Sequence, residues 1–577
     1  MKLMLRYLRP HMSAVIIGLM IKFSGTLAEL FLPLILSYIL DDVVKMQQVA
    51  PILIWGGVMI VCSLAAFLLN VWANQRAAAV ARDATRDIRH DLFAKTLSLS
   101  ARQVDGFTVA SLESRITSDT FHISRFLGIV QRMGVRAPIL LFGGLILTAT
   151  MDLSLTLVML AVLPFIFCIV YFIARKGVPL YADVQKNVDS MTRVVREDSK
   201  GIRVIKALSR VPYERDRFDG VNADLVRTEK RAGITMAASN PFMNLFLNLG
   251  LTSVIFVGAL LVSGDVGAKP GVIIAFIQYF THIANALTAV TRIFVMYTKA
   301  AASANRIEAV LACQEDMPLG SEAEFPSLPA EDDRYIEFDH VSFSYNKTRN
   351  NVNNMTFAIP KGSRLGIIGA TGSGKSTLLQ LLLRFYDVDC GAIRIAGRDI
   401  RTIPMGELRT KFGAALQNDI IFSGTVRENL TFGREIEEER LRLVLETAQA
   451  AEFVDQLTEG LDYELNAKGS NLSGGQKQRL LVARALAAQP DILILDDSSS
   501  ALDYKTDANL RQALDNADYG CTRIVVAQRV SSVMGCDRIL VLEEGEAIAF
   551  GTHEELMESC AVYREISRSQ MGGAILE

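Results

Sequence analysis

The residues that decide the fold are Gly369-Ala370-Thr371-Gly372-Ser373-Gly374-Lys375-Ser376-Thr377. They follow the apolar run from Arg364 to Ile368 and precede the helical run from Leu378 to Arg384. A glycine-rich turn between a strand and a helix is the context in which this pattern forms a phosphate-binding loop. The glycines let backbone N–H groups close around phosphate oxygens. In such loops Lys375 would lie against the β and γ phosphates, and Ser376 would bind Mg²⁺.

Two later segments add to this chemistry. A strand from Ile492 to Leu495 ends in Asp496, a carboxylate suited to reach Mg²⁺ through water. Between the loop and this strand lies Leu472-Ser473-Gly474-Gly475-Gln476. Paired glycines before a helix form an anion-binding nest, so the sequence predicts a second phosphate-binding element in the same domain.

The surrounding pattern predicts an α/β domain from residue 335 to residue 577, after a Pro-, Glu- and Ser-rich linker at residues 318–334. Short apolar runs alternate with helical patterns, which is typical of a parallel sheet covered by helices. The expected strands are Tyr335–Phe338, Arg364–Ile368, Ala392–Ile395, Ile492–Leu495, Ile524–Val526 and Ile539–Leu542.

Composition places the rest of the chain in a membrane. Of the 577 residues, 50% are hydrophobic and only 21% are charged, which excludes a purely soluble enzyme. The formal net charge of −2 disfavours a nucleic-acid partner. The seven cysteines form no C-x-x-C pair, so no metal knuckle is predicted and the thiols are expected to be reduced.

The long uncharged runs fall before residue 300 and predict an all-α transmembrane domain at residues 1–317. A spanning helix needs about 20 apolar residues to cross the hydrocarbon layer. Six segments meet this length, or come near it with a tight turn at Asp152: 13–40, 51–75, 134–151, 153–174, 238–264 and 270–292.

Basic residues predict the orientation of the spans. Residues 76–136 carry ten Lys or Arg and residues 175–231 carry fourteen, whereas the opposite connections carry at most one each. Basic connections stay in the cytoplasm, so both termini and the α/β domain are expected there, in a multi-pass protein of the cell (inner) membrane. Helical periodicity in the two long connections favours spanning helices that continue into the cytoplasm over a separate soluble insertion.

Three polar residues within the spans are candidate substrate contacts: Lys22, Glu29 and His282. A charge in hydrocarbon costs at least about 2.5 kcal/mol on insertion scales, so something must compensate it. Lys22 and Glu29 would either face an aqueous cavity or form structural contacts, with each other or with neighbouring helices. For His282 a packed, hydrogen-bonded side chain is the alternative to a substrate contact.

On these motifs the α/β domain resembles the nucleotide-binding domain of ABC transporters, and the whole chain resembles a half-transporter of the ABC exporter type. The resemblance implies ATP and Mg²⁺ as cofactors. It implies that Tyr345 stacks on adenine, that Gln417 touches Mg²⁺ beside Ser376 and Asp496, and that Leu472 to Gln476 caps ATP held by another subunit. The implied ATP contacts are Tyr345, Gly369, Thr371, Gly372, Ser373, Gly374, Lys375, Ser376, Thr377, Asp496, Ser473, Gly474, Gly475, Gln476 and Asp503, the last from the crossing loop Ser500-Ala501-Leu502-Asp503.

Two positions depart from the family pattern. Most active members have Glu after the strand aspartate and a His after the next strand, where this chain has Asp497 and Gln528. The shorter carboxylate is withdrawn by about 1.5 Å, and a misplacement near 1 Å can lower a rate about 100-fold. An amide cannot supply a titratable group. Together with Gln417, these residues are the candidate catalytic set, and they predict a site that binds ATP and hydrolyses it slowly.

An intact Leu472 to Gln476 beside a weakened site resembles one subunit of the bacterial heterodimeric exporters. We therefore expect a second, non-identical half-transporter as partner, and a drug, lipid or peptide as substrate moved out of the cytoplasm by alternating access. The alternatives are a homodimer with two slow sites, an ATP-gated regulatory or channel subunit, and a soluble ABC ATPase acting on nucleic acid. By analogy, residues 107–114 and 205–213 would contact the ATPase domains.

Overall fold

The computed structural model describes residues 1–263, 269–329, 331–417, 419–498, 501–517 and 519–571. The chain folds as two units: Met1–Ser98 with Phe107–Cys313, and Leu99–Gly106 with Gln314–Glu577. The change of unit at residue 314 comes just before the predicted linker at residues 318–334. Each unit is described in turn.

The first unit is helical throughout its described part. Its long helices continue far past the length that a membrane requires, as expected from the periodicity of the two basic connections. The helices are α1 Lys2–Leu8, α2 Met12–Tyr38, α3 Val49–Ser98, α4 Ala101–Phe107 at the junction of the units, α5 Val109–Ser114, α6 Thr120–Pro138, α7 Gly144–Met151, α8 Leu153–Ala207, α9 Val211–Ala237, α10 Ser239–Ser263 and α11 Pro270–Leu311.

Five helical stretches of the described chain are long and apolar enough to cross a membrane: Lys2–Met46, Val49–Ser98, Val109–Met151, Pro241–Val262 and Pro270–Leu311. The remaining predicted span, 153–174, lies at the start of α8, and its described apolar stretch Leu153–Cys168 belongs to that helix. The tight turn predicted at Asp152 is present, and its carboxylate caps α8 by accepting a hydrogen bond from Leu155 N at 2.9 Å. The protein is therefore a multi-pass membrane protein.

The second unit is an α/β domain, which confirms the predicted fold class. Its elements are β1 Ile336–Phe343, β2 Val352–Ile359, β3 Arg364–Gly369, α12 Lys375–Leu382, β4 Cys390–Ile395, β5 Arg398–Asp399, α13 Met405–Thr410, β6 Phe412–Ala415, β7 Gly424–Thr425, α14 Val426–Thr431, α15 Glu438–Thr447, α16 Ala451–Asp455, β8 Glu464–Leu465, α17 Gly474–Ala487, β9 Ile492–Asp496, α18 Tyr504–Asn516, β10 Thr522–Val526, α19 Val530–Val533, β11 Arg538–Glu543, β12 Glu546–Gly551, α20 His553–Ser559 and α21 Ala561–Met571.

A six-stranded sheet positions the site, with the strand order β12-β11-β3-β10-β9-β6. All its neighbours pair in parallel except β12, which is antiparallel to β11. A four-stranded antiparallel sheet, β2-β1-β4-β5, lies beside it in the same unit. Because parallel strands end at one edge, the loops after β3, β6, β9 and β10 meet there.

The parallel sheet is buried on both faces. Along β9, Ile492 and Ile494 belong to one apolar cluster, whereas Leu493 and Leu495 belong to another. This alternation follows from the period of two in a strand and explains why β9 is apolar at every position before Asp496.

Several strands differ from the predicted ones. β1 starts at Ile336 and runs on to Phe343, although His340 has a left-handed φ of 53° where the pairing register shifts. A bulge of this kind breaks the alternation of apolar residues that sequence prediction relies on. Strands β2 and β6 were not expected, because β2 carries Asn353 and Asn354 and β6 is only four residues long.

The short segment Leu99–Gly106 is part of the ATPase unit although it is distant from it in sequence. Within that unit, the Tyr386 hydroxyl donates to Asp105 Oδ2 at 2.6 Å, and the Ser100 hydroxyl donates to Asp316 at 2.9 Å. Burial, reinforced by the Asp105 hydrogen bond, raises the pKa of Tyr386. This segment ends just before residues 107–114. The expected contacts of residues 107–114 and 205–213 with ATPase domains stay predictions.

The buried strand β9 gives a test of this core. We expect Ile494→Ala to destabilise the ATPase unit by about 2–5 kcal/mol, because it removes a buried side chain and leaves a cavity. The matched control is Ile548→Ala in β12, since Ile548 is 39% exposed whereas Ile494 is fully buried. Calorimetry of the purified chain should show a lower unfolding temperature for the first variant only. Equal effects from both would contradict the burial pattern.

Candidate functional site

The phosphate-binding loop has the geometry that its sequence predicts. It follows β3, and its last residues begin α12 at Lys375. Gly372 and Gly374 have left-handed φ values of 85° and 100°. A Cβ on Gly374 would lie 2.8 Å from the Asn351 carbonyl oxygen, so conformation and space both require glycine there.

The lysine of the loop is held over its backbone. Lys375 Nζ donates to the carbonyl oxygens of Gly369 and Ala370 at 2.8 and 2.7 Å. Burial lowers the pKa of Lys375, and attraction to Asp496 and Asp497 opposes this. The hydroxyl of Ser373 is buried without a hydrogen-bond partner. A held ammonium group and an unused buried hydroxyl fit an anionic ligand in the loop.

The carboxyl edge of the sheet brings the predicted residues into one cavity of about 240 Å³. The residues that line it come from the ends of the parallel strands and from the phosphate-binding loop. They are Asn351, Thr371, Gly372, Gly374, Lys375, Ser376, Thr377, Gln417, Asp496, Asp497, Val526, Ala527 and Gln528.

Three of these residues, Ser376, Gln417 and Asp496, carry side-chain oxygens of the kind that Mg²⁺ prefers. Ser376 Oγ lies 3.5 Å from Asp496 Oδ2, and Gln417 Nε2 donates to the Asp497 carboxylate at 3.2 Å. Burial raises the pKa of Asp496, and the neighbouring Asp497 raises it further. A hydroxyl, an amide and a carboxylate are ligands that suit a hard divalent cation beside phosphate.

Asp497 occupies an unusual backbone position. Its φ is 51°, in the left-handed region that aspartate tolerates better than most residues. Asp497 N donates to Val526 O at 2.8 Å, and Gln478 Nε2 donates to Asp497 O at 2.8 Å. Burial raises the pKa of its carboxyl, opposed by the hydrogen bond from Gln417. The backbone of Asp497 is therefore fixed from two directions.

The segment Ser473–Gln476, predicted to be a second phosphate-binding element, forms a regular helix cap. Ser473 caps α17: its hydroxyl accepts from Gln476 N at 3.2 Å, and Ser473 N donates to Gln476 Oε1 at 2.8 Å. A Cβ on Gly475 would approach Ala501 O at 3.2 Å. Among the described residues that line the cavity, none comes from Ser473–Gln476.

Two family models match the chain. "ABC transporter transmembrane region" matches residues 15–287, and "ABC transporter" matches residues 352–500. The ABC transporter ATP-binding protein YfiB of Bacillus subtilis is 34% identical over 570 residues, with 98% of both chains covered.

The chain belongs to the ABC transporter family.

Other relatives agree in length and domain order. The ABC transporter ATP-binding protein Rv1273c of Mycobacterium tuberculosis is 32% identical over 98% of both chains. A solved structure of a bacterial Atm1-family ABC exporter with ATP bound superposes with a TM-score of 0.79 over 98% of both chains. At 22% identity this likeness shows the fold alone. The chain is an ATPase-coupled membrane transporter with an ATP-binding domain.

Two further predicted nucleotide residues, Tyr345 and Asp503, are not among the described residues that line the cavity. Tyr345 is 42% exposed, and its hydroxyl donates to Gln380 Oε1 at 2.6 Å. Its ring packs edge-on against Phe343 and Tyr386, at centroid distances of 4.9 and 5.2 Å. Asp503 caps α18 by accepting from Thr506 N at 2.8 Å. Ser500 of the crossing loop lies outside the described residues.

Two glutamines were missed by sequence reasoning. Gln478 joins Asp497 to the crossing loop, because its Oε1 also accepts from Ala501 N at 3.0 Å. Its position one turn after Gly474, on the same helix face, could have indicated this. Gln570, in the last described helix, donates to Gln528 O at 2.8 Å and accepts from Val530 N at 2.8 Å. No local pattern announces that contact.

The intramembrane charges are paired, but not with each other. Lys22 is 4% exposed and donates to Asn70 and Asn74 at 2.7 and 3.2 Å. Glu29 accepts from Arg136 at 2.5 Å. Thus contacts to neighbouring helices compensate both residues. His282 lines a cavity of about 240 Å³ within the transmembrane unit, whereas neither Lys22 nor Glu29 is among its described lining residues. As substrate contacts all three stay predictions.

The geometry of Lys375 predicts a loss of nucleotide binding. Lys375→Ala should weaken binding of ATP to this chain's own loop about 10-fold to 100-fold, since a hydrogen bond to a charged group is worth about 1.5–3 kcal/mol. Photolabelling of the purified chain with an azido-ATP checks this, with the exposed Lys361→Ala as control. Unchanged labelling would contradict the prediction that the loop containing Lys375 binds the phosphates of ATP.

The contact of Gln570 predicts a local change. Gln570→Ala removes two hydrogen bonds that hold the backbone around Gln528 and Val530, each worth about 1 kcal/mol net. We expect faster hydrogen exchange at the Val530 amide in the full chain. The exposed neighbour Ser569→Ala is the control. Equal exchange rates in both variants would show that α21 does not fix this loop.

Proposed function

We propose that this chain is one half of an ATP-driven exporter whose other half is a similar, non-identical chain. Its own phosphate-binding loop would hold ATP and hydrolyse it slowly. Its intact Leu472 to Gln476 would complete the faster site on the partner. The observation that carries this proposal is the joint presence of Asp497 and Gln528 in a cavity that is otherwise complete.

The positions of the two residues support slow hydrolysis. A general base must reach the attacking water, and efficiency falls steeply when it is displaced by about 1 Å. Hydrogen bonds hold the backbone N–H and C=O of Asp497, which opposes a shift of its main chain toward the phosphates that would replace the missing methylene. Gln528 offers an amide where the family pattern has a titratable ring.

The same site fits Mg²⁺ with ATP. Ser376, Gln417 and Asp496 would hold the ion, and Lys375 would contact the β and γ phosphates. When bound, the ion neutralises charge on the phosphates. Burial raises the pKa of Asp496, and a bound cation would favour its charged form.

The segment Leu472 to Gln476 supports an ATP site that is completed by two subunits. Ser473 and Gly475 are preorganised by the helix cap, yet they do not line the cavity around Lys375. They would therefore act on a nucleotide held by a second subunit. Export follows from the domain order resembling exporters, with both termini and the ATPase unit in the cytoplasm by the distribution of basic residues.

Two alternatives make different predictions. A homodimer would contain two copies of the weakened site and no second polypeptide. A channel-type subunit would pass ionic current on ATP binding, whereas the exporter should show ATPase activity that its substrate stimulates.

The composite site gives the decisive test. A tagged chain extracted from its native membrane should bring down a second, non-identical half-transporter, identified by mass spectrometry. In that complex Ser473→Ala should lower ATPase activity about 100-fold, because it removes a contact to the partner's nucleotide. The loss of the cap costs only about 1 kcal/mol, so the fold should persist.

The exposed Ser470→Ala is the matched control, three residues earlier in the same segment. Purified alone, the chain should hydrolyse ATP slowly. Recovery of this polypeptide without a second one would favour the homodimer. ATPase activity indifferent to Ser473→Ala would overturn the composite site.

A further inference from the structure

The six predicted spans contain an excess of positive charge. Their basic residues are Lys22, Arg136 and Arg292, and Glu29 is their acidic residue. Charged groups at membrane depth are expensive, so they are retained where they serve a site or are compensated locally. The contacts of each group show which of them is compensated.

Three of these groups have local partners, although Glu29 Oε2 and Arg136 Nε are buried without a hydrogen-bond partner. Glu29 is paired with Arg136, and the buried Lys22 ammonium is bonded by two neutral asparagine side chains. Arg292 makes no ion pair with any carboxylate in the part of the chain that the structure describes. Its guanidinium is exposed and lines the cavity of about 240 Å³ in the transmembrane unit.

The polar groups of this cavity form a stripe on one helix face. His282, Asn285 and Arg292 lie on α11 with spacings of three and seven residues, which places them on one face of the helix. The stripe is about 15 Å long at 1.5 Å per residue. Arg136 joins it from α6, where it is ion-paired with Glu29.

Apart from Thr288, the rest of the described lining is apolar. Met133 and Leu140, one turn on either side of Arg136, face the same cavity. A cavity with cations and amides on one side and hydrocarbon on the other complements a ligand that has an anionic group and an apolar body. A cationic ligand would instead meet the positive charge of Arg292, which makes no ion pair with a described carboxylate, whereas Arg136 is already paired with Glu29.

We propose that this cavity is a substrate site for amphipathic organic anions, and that Arg292 is the ion partner of their carboxylate, sulfonate or phosphate group. His282 and Asn285 donate or accept further along the stripe. The inference rests on the proposed transport function, and it narrows the substrate from drugs, lipids and peptides in general to anions. Arg136 and Arg292 lie at the cytoplasmic end of their predicted spans, where a substrate for export would enter.

Direct binding tests the site without assuming transport. The full chain in neutral detergent is titrated with 1-pyrenebutyrate and, separately, with 1-pyrenebutanol, which has the same apolar body and no charge. Fluorescence anisotropy should show at least about 10-fold tighter binding of the anion, the value of one charge-assisted contact. Equal affinity for the two probes would overturn the proposal.

Arginine variants assign the contact. Arg292→Gln should reduce the affinity for 1-pyrenebutyrate about 10-fold and leave that for 1-pyrenebutanol unchanged. Arg292→Lys keeps the charge and should retain most of the preference. Arg231→Gln, an exposed arginine of α9 outside the predicted spans, is the matched control. A preference that survives Arg292→Gln, or that Arg231→Gln removes equally, would overturn the assignment.

Two further measurements distinguish a lipid headgroup from other anionic ligands, and anion binding from transport. Nanodiscs with phosphatidylglycerol compete with 1-pyrenebutyrate if the natural ligand is an anionic lipid headgroup, and nanodiscs of phosphatidylcholine do not; both results retain the anionic chemistry. ATPase activity of the reconstituted complex reports transport separately. Anion binding that depends on Arg292 without stimulated ATPase would support this site and contradict the exporter.

Discussion

The site depends on one constraint, which is that parallel strands end at a common edge. The loops after β3, β6, β9 and β10 therefore converge, although 159 residue positions separate Gly369 from Gln528 in the sequence. Burial of the strands on both faces keeps that edge rigid, and rigid placement is what catalysis of phosphoryl transfer requires. The slow hydrolysis that we infer comes from changed side chains, such as Asp497 in place of a glutamate that is one methylene longer, on a sheet whose backbone arrangement is the same.

Electrostatics at this edge are balanced without a nucleotide. Two carboxylates with raised pKa values lie near an ammonium whose pKa is lowered, all by burial in the first place. Such a cluster favours the arrival of a multiply charged ligand together with its cation, because each partner relieves a desolvated group. The transmembrane cavity has no equivalent balance, since Arg292 has no described acidic partner and the charge of its cavity is complemented only by an anion.

The sequence was sufficient to predict the fold class and, in outline, the multi-pass topology, because both follow from hydropathy and short motifs. It also predicted several residues that line the cavity around Lys375, whose roles toward ATP stay predictions. It did not suffice where a distant segment decides. Gln570 bonds to the backbone of Gln528, which is 42 residues earlier in the sequence. The ion pair of Glu29 with Arg136 joins residues that are 107 positions apart, on different helices. Strand β2 was not predicted because its asparagines interrupt the alternation of apolar and polar residues that is typical of a strand.

The inclusion of Leu99–Gly106 in the ATPase unit has a consequence for how the protein is divided. A fragment starting at residue 314 would leave the Tyr386 phenol and the Asp316 carboxylate without the groups that bind them in the intact chain. The order of domains along the sequence suggests a single boundary between the transmembrane part and the ATPase part. In the structure, however, the chain passes from one unit to the other more than once. An ATPase fragment cut at residue 314 would therefore lack a hydrogen-bond partner of Tyr386, whose ring packs against Tyr345, the residue implied to hold adenine.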